Sequence, residues 1–120
     1  MRIAELQGTN LELTDAIKQY VDDKLAGVAK LTEKFEPCDA RVEVGKTQTG
    51  QQKGNIFRAE FNLTIPGVVL RSETIKDDLY AAIDEASDEL KRQVKRYKEK
   101  LQDADRVKIE ASSFEHTEEF

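Results

Sequence analysis

Apolar residues recur along this chain with two different periods. Ile17, Tyr20, Val21, Leu25, Val28 and Leu31 follow one another at steps of three and four, apart from the adjacent pair Tyr20-Val21. That spacing predicts the apolar stripe of a helix of about 20 residues. Thr14 stands where an N-cap belongs, and Asp15 sits in the first turn, where a carboxylate suits the helix dipole. Gly27 inside the helix costs about 1 kcal/mol against alanine, less than the stripe contributes, and Pro37 closes the segment.

The middle of the chain switches to period two. Ala40, Val42 and Val44 alternate with Arg41 and Glu43, and Phe57, Ala59, Phe61, Leu63 and Ile65 alternate with Arg58, Glu60, Asn62 and Thr64. After a Pro66-Gly67 turn signal, Val68, Leu70 and Ser72 alternate with Val69, Arg71 and Glu73. A weaker alternation over residues 1–7 sets Ala4 and Leu6 against Glu5. These read as strands with one apolar face and one face of mixed charge, where each internal strand repeats Arg-x-Glu. The last element is a helix that Asp77 can cap, with a seam of Leu79, Ile83, Ala86, Leu90, Val94, Tyr97 and Leu101. The seam also fits a short coiled coil, but the apolar sheet face needs a cover. The order β-α-β-β-β-α therefore predicts an α+β two-layer sandwich, two helices on one face of a four-stranded sheet.

The chain has 120 residues, about one domain, with 38% hydrophobic and 36% charged residues. Its net charge of −5 argues on average against a nucleic-acid binder. The distribution reverses that reading. Residues 91–100 hold six cations (Lys91, Arg92, Lys95, Arg96, Lys98 and Lys100) against Glu99 alone. Residues 103–120 hold six carboxylates against Arg106 and Lys108. We therefore expect a domain over 1–102 and an acidic, flexible tail over 103–120. Cys38 is the only cysteine, so no internal disulfide exists. With no signal-like opening and no membrane-spanning run, the expected location is cytoplasmic.

Cations near a helix C-terminus relieve the dipole, and Asp88 to Arg92 is an i,i+4 pair. These effects account for two or three cations, not six in ten residues, so phosphate binding stands beside the solvated-face reading. The loop 45–54, with Lys46 and Lys53 among three glycines and no acid, is a mobile hairpin tip or a secondary RNA contact. Residues 40–47 match a relaxed P-loop pattern, but they alternate as a strand and no helix can start after Lys46. His116 lies in the tail, Cys38 precedes a strand, and the carboxylate pairs Asp77-Asp78, Asp84-Glu85 and Asp88-Glu89 fit helix-start and solvated roles. No active site, metal site or cofactor is expected.

Two stretches resemble a known family. Residues 10–17, Asn-Leu-Glu-Leu-Thr-Asp-Ala-Ile, followed by Tyr20-Val21 and Lys24-Leu25, look like the opening of the ribosome hibernation-promoting factors and ribosome-associated inhibitors. Residues 77–84, Asp-Asp-Leu-Tyr-Ala-Ala-Ile-Asp, then Leu90-Lys91-Arg92-Gln93 and Tyr97-Lys98-Glu99-Lys100, look like that family's second helix. The resemblance covers about 1–102. It implies a topology similar to double-stranded RNA-binding domains, docked in the mRNA/tRNA channel of the small ribosomal subunit to keep idle ribosomes inactive under stress. It further implies ribosomal-RNA contacts by Lys24 and Lys30 on the first helix and by Lys91, Arg92, Lys95, Arg96 and Lys98 on the second. Gly27 departs from the larger residue that many relatives carry there.

Such a protein is a binder and not an enzyme. About six phosphate contacts imply log K falling against log salt with slope near −4 to −5. The partners expected are the small subunit and its RNA, with no membrane and no small-molecule substrate, and the chain acting as a monomer. Long family members add a domain that pairs ribosomes; the length and acidic tail here resemble short members associated with single inactive ribosomes. Two alternatives are a non-ribosomal protein-binding adaptor using the helical face, and a small enzyme using Asp84, Tyr80 or His116.

Overall fold

In the computed structural model the backbone is described for residues 1–47 and 56–118, and side chains through residue 104. The elements are β1 (Arg2–Thr9), α1 (Asp15–Leu31), β2 (Asp39–Lys46), β3 (Phe57–Ile65), β4 (Val68–Lys76) and α2 (Leu79–Glu118). This is the order read from the periodicities. The strands lie side by side as β1-β2-β3-β4. β1 runs parallel to β2, with α1 as the crossover, whereas β2–β3 and β3–β4 are antiparallel. Gly67 makes the β3–β4 turn at a φ of 92°, a backbone conformation glycine adopts without penalty.

Alternation places Ala40, Val42, Val44, Ala59, Phe61, Leu63 and Ile65 on one sheet face, and all are buried. The helices cover that face: Ile17, Val21, Leu25 and Val28 come from α1, and Leu79, Ile83, Ala86, Leu90 and Val94 from α2. Ser72, on the covered face of β4, is buried and donates to Ala86 O at 2.7 Å, tying sheet to helix. The cover is therefore intramolecular sheet packing, not a coiled coil.

Three boundaries differ from the sequence reading. Thr14 does cap α1, accepting from Ile17 N at 3.2 Å, but α1 ends at Leu31, well before Pro37. Buried Thr32 stops it, its hydroxyl turning back onto the carbonyls of Val28 and Ala29. The cap of α2 is Asp78, whose carboxylate accepts from Ala81 N at 2.9 Å, one residue after the expected Asp77. At its other end α2 continues to Glu118, past the end of the Leu79–Leu101 seam.

The uncovered sheet face carries a row of like charges. Glu43 lies directly opposite Glu60, and Glu60 opposite Glu73. Side-by-side glutamates repel, and arginines bridge them. Arg58 reaches Glu43 at 3.5 Å and Glu60 at 3.1 Å and also pairs with Glu73, while Arg71 pairs with Glu60. The repeated Arg-x-Glu is thus a cross-strand lattice whose charges are largely spent on one another.

Candidate nucleic-acid interface

α1 and α2 lie side by side and run in the same direction. Tyr20 packs edge-on against Tyr80, Gly27 lies under Lys91, and Phe35, just beyond α1, meets Tyr97. The groove between the two helices is where the sequence-predicted cations can be judged.

At its N-terminal end the groove is locked. Tyr20 donates to Asp84 at 2.6 Å, and Lys24 Nζ sits 2.8 Å from the same carboxylate and 5.2 Å from the Tyr20 ring centroid. Burial pushes the Asp84 carboxyl upward, but the bonds from Lys24 and Tyr20 outweigh it and hold the group below its ordinary value. The Asp84 bond raises Lys24 correspondingly. Lys24 is therefore a clasp between helices, with much of its charge already answered.

Farther along, the groove opens to unanswered charge. A Cβ on Gly27 would lie 2.9 Å from Lys91 Nζ, so the missing side chain is what lets Lys91 lie across α1. Among the described residues, no carboxylate forms a salt bridge with Lys91, Lys95 or Lys98, nor with Lys30 in the last turn of α1. Arg92 and Arg96 differ. Both reach Glu89, at 2.8 and 3.1 Å, and the Arg92 bond leads the causes that hold the Glu89 carboxyl below its ordinary range.

The structure thus brings Lys30, Lys91, Lys95 and Lys98 to one surface, without a salt bridge among the described residues, with Lys24, Arg92 and Arg96 beside them in ion pairs. Lys46 is elsewhere. It ends β2 opposite Phe57, over whose ring its ammonium lies at 5.8 Å. Phe57 pairs with Lys76, which places Lys46 at the end of the sheet where α2 begins. The open end of the groove is the other one, where Tyr97 donates to Pro66 O at the β3–β4 turn. Lys53 lies outside the described residues.

Two features of the surface were not anticipated. One is the Tyr20–Asp84–Lys24 clasp, whose signal in the sequence is only three polar residues spread over two helices. The other is Lys34, which with Lys30 and Lys98 rims a cleft of about 360 Å³ between the end of α1 and α2. Arrays of ammonium groups on a rigid helix pair have the charge and spacing that phosphate contacts use. Burial leads the causes that raise the Cys38 thiol above its ordinary value. Among the described residues no three His, Cys, Asp or Glu side chains converge as a metal site, and no helix is long and apolar enough to cross a membrane.

The chain is similar in sequence and fold to known proteins. Residues 4–102 match the family model described as Sigma 54 modulation protein / S30EA ribosomal protein. The chain is 34% identical over 98 residues to a ribosome hibernation promotion factor of Deinococcus radiodurans, covering 82% of this chain and 50% of that protein. It is 35% identical over 97 residues to the factor of the same name from Staphylococcus aureus, covering 81% of this chain and 48% of that one. The chain thus spans about half the length of these curated relatives. Among solved structures it resembles the N-terminal domain of Thermus thermophilus protein Y, with a TM-score of 0.67 and 42% identity, over 81% of this chain and 99% of that one. A ribosomal subunit interface protein from Coxiella burnetii shares the fold, with a TM-score of 0.61 at 19% identity over 82% of this chain and 98% of that one. With the family model spanning most of the chain and the strand-helix order it shares with the protein Y domain, the chain belongs to the Sigma 54 modulation protein / S30EA ribosomal protein family.

Proposed function

We propose that this protein is a ribosome hibernation factor that binds the small ribosomal subunit through ribosomal RNA, occupies the channel shared by mRNA and tRNA, and keeps idle ribosomes inactive. The observation that carries the reading is the row of Lys91, Lys95 and Lys98 beside Lys30, which have no ion-pair partner among the described residues although the chain is acidic overall. Charges left unpaired in such a protein favour a polyanionic partner. The family and the names of the relatives supply the ribosome.

The contact set is graded by the ion pairs. Lys30, Lys91, Lys95 and Lys98 carry the phosphate contacts, and Arg92 and Arg96 contribute by exchanging Glu89 for phosphate. Lys24 contributes least, because it holds α1 to α2. Recognition is mostly of backbone and shape, since folded RNA offers side chains little base-edge readout in its deep major groove. The protein acts in the cytoplasm as a monomer, by occupancy and without turnover. The acidic stretch 103–120 acts as a solubilising extension of the RNA-binding unit.

Footprinting tests the position. Chemical probing of small-subunit RNA should show protection confined to the mRNA/tRNA channel, and messenger with bound tRNA should displace the protein. Protection elsewhere, or simultaneous binding of protein, mRNA and tRNA, overturns the channel assignment. An adaptor using the same helices would bind a protein instead, with weak salt dependence and indifference to Lys91→Ala.

A further inference from the structure

The helix groove ends in a cleft that a row of phosphate contacts does not require. Its floor is apolar: Leu31, Phe35 and Leu101 line it. Leu101 is the last residue of the α2 seam and remains 38% exposed, whereas Leu90 and Val94 earlier on the seam are fully buried. The helix continues past the sheet it covers, and the seam runs out into this opening. The Phe35 ring is fixed edge-on against Tyr97, with centroids 5.8 Å apart. The rim is cationic, formed by Lys30, Lys34 and Lys98. Two groups able to read hydrogen-bonding edges, the Glu33 carboxylate and the Gln102 amide, complete the lining.

We propose that this cleft receives one unpaired nucleotide of the bound RNA. This rests on the function proposed above and adds to it a base-reading subsite. An apolar floor with a held aromatic ring matches the face of an extruded base, and ammonium groups at the rim match its flanking phosphates. A cavity of about 360 Å³ falls in the range of small-ligand pockets. Three lysines against one glutamate select an anion-bearing ligand over a neutral apolar one. Glu33 and Gln102 together offer an acceptor and a donor to a base edge. The rest of the groove binds phosphates wherever they are presented; the cleft adds a preference for RNA whose strand is interrupted by an unpaired residue.

The test compares two RNAs, a fully paired duplex and the same duplex carrying one bulged 2-aminopurine. Affinities are measured at one fixed low salt concentration, with the probe's fluorescence followed at the same time. We expect the bulged RNA to bind about tenfold tighter, with the probe fluorescence changing on binding. Phe35→Leu, and separately Leu101→Gln at an exposed position outside the buried core, should abolish the preference while leaving affinity for the paired duplex unchanged. Lys91→Ala should weaken both RNAs alike. Equal binding of the two RNAs overturns the cleft proposal and leaves the phosphate groove standing. Failure to bind either RNA, with the protein folded, overturns both. Saturable binding of adenosine monophosphate, lost in Phe35→Leu, without any preference for the bulge would make the cleft a site for a free nucleotide and overturn its assignment to RNA.

Discussion

Gly27 shows how one residue can divide stability from function. Inside α1 a glycine is a poor choice, and alanine would favour the helix by about 1 kcal/mol. The atom that a new Cβ would displace is the far end of the Lys91 side chain, which can move. Gly27→Ala should therefore raise the urea midpoint while weakening RNA binding, because Lys91 loses its seat across α1. A drop in both stability and affinity would show that the site is sterically closed. Gly45 makes the opposite case. A Cβ there would collide with the backbone carbonyl of Thr9 in the neighbouring strand, and neither partner can swing away. Gly45→Ala should cost about 1–3 kcal/mol, measurable by urea denaturation. Neither role was legible in the sequence, where Gly27 reads only as a helix weakness and Gly45 as part of a loop. Each depends on an atom from a distant element.

At the scale of elements, two ion-pair systems hold the layers in register. The Asp84 clasp joins the helices. Its folded-state pKa is lowered, so its contribution is present at neutral pH and is lost as the pH falls below the ordinary carboxylate value near 4. Asp84→Asn should cost about 1 kcal/mol at pH 7, kept small because both partners are partly exposed, and less at pH 3. Thermal denaturation at the two pH values checks this. The same variant frees Lys24 and removes a negative charge from the groove, so its RNA affinity should rise. On the open sheet face, Thr9 first and Arg58 after it hold Glu43 below the usual range, against the upward push of burial. Arg58→Met would leave Glu43, Glu60 and Glu73 adjacent with Arg71 alone to offset them. We expect a loss of about 1–3 kcal/mol at neutral pH, narrowing in acid as the glutamates take up protons. Periodicity made the strands, the order of elements and the buried seam legible, because burial obeys local spacing. It could not reveal the partners of each charge. Arg92 and Arg96 stand among the basic cluster in sequence, yet both turn to Glu89.

For the whole molecule, the net charge of −5 conceals a polarised surface. The sheet face spends its arginines on its own glutamates, and the helix face keeps Lys30, Lys91, Lys95 and Lys98 without a salt bridge among the described residues. The sequence exposes the second half of that asymmetry through residues 91–100, but only the strand register shows the first. It also narrows the expected salt dependence. Of the seven cations in the contact set, Lys24, Arg92 and Arg96 already have carboxylate partners, and exchange of a protein partner releases fewer counterions than a new contact. The slope of log K against log salt should accordingly lie at or below the magnitude of about 4–5 expected for six full phosphate contacts.

The most direct test is co-sedimentation with small ribosomal subunits across a salt series, with the Lys91→Ala/Lys95→Ala/Lys98→Ala triple variant beside the unmodified protein. The account predicts stoichiometric binding at low salt that weakens steeply as salt rises, and a variant that stays folded but no longer sediments with the subunit. Binding that ignores salt and survives the triple substitution would contradict it.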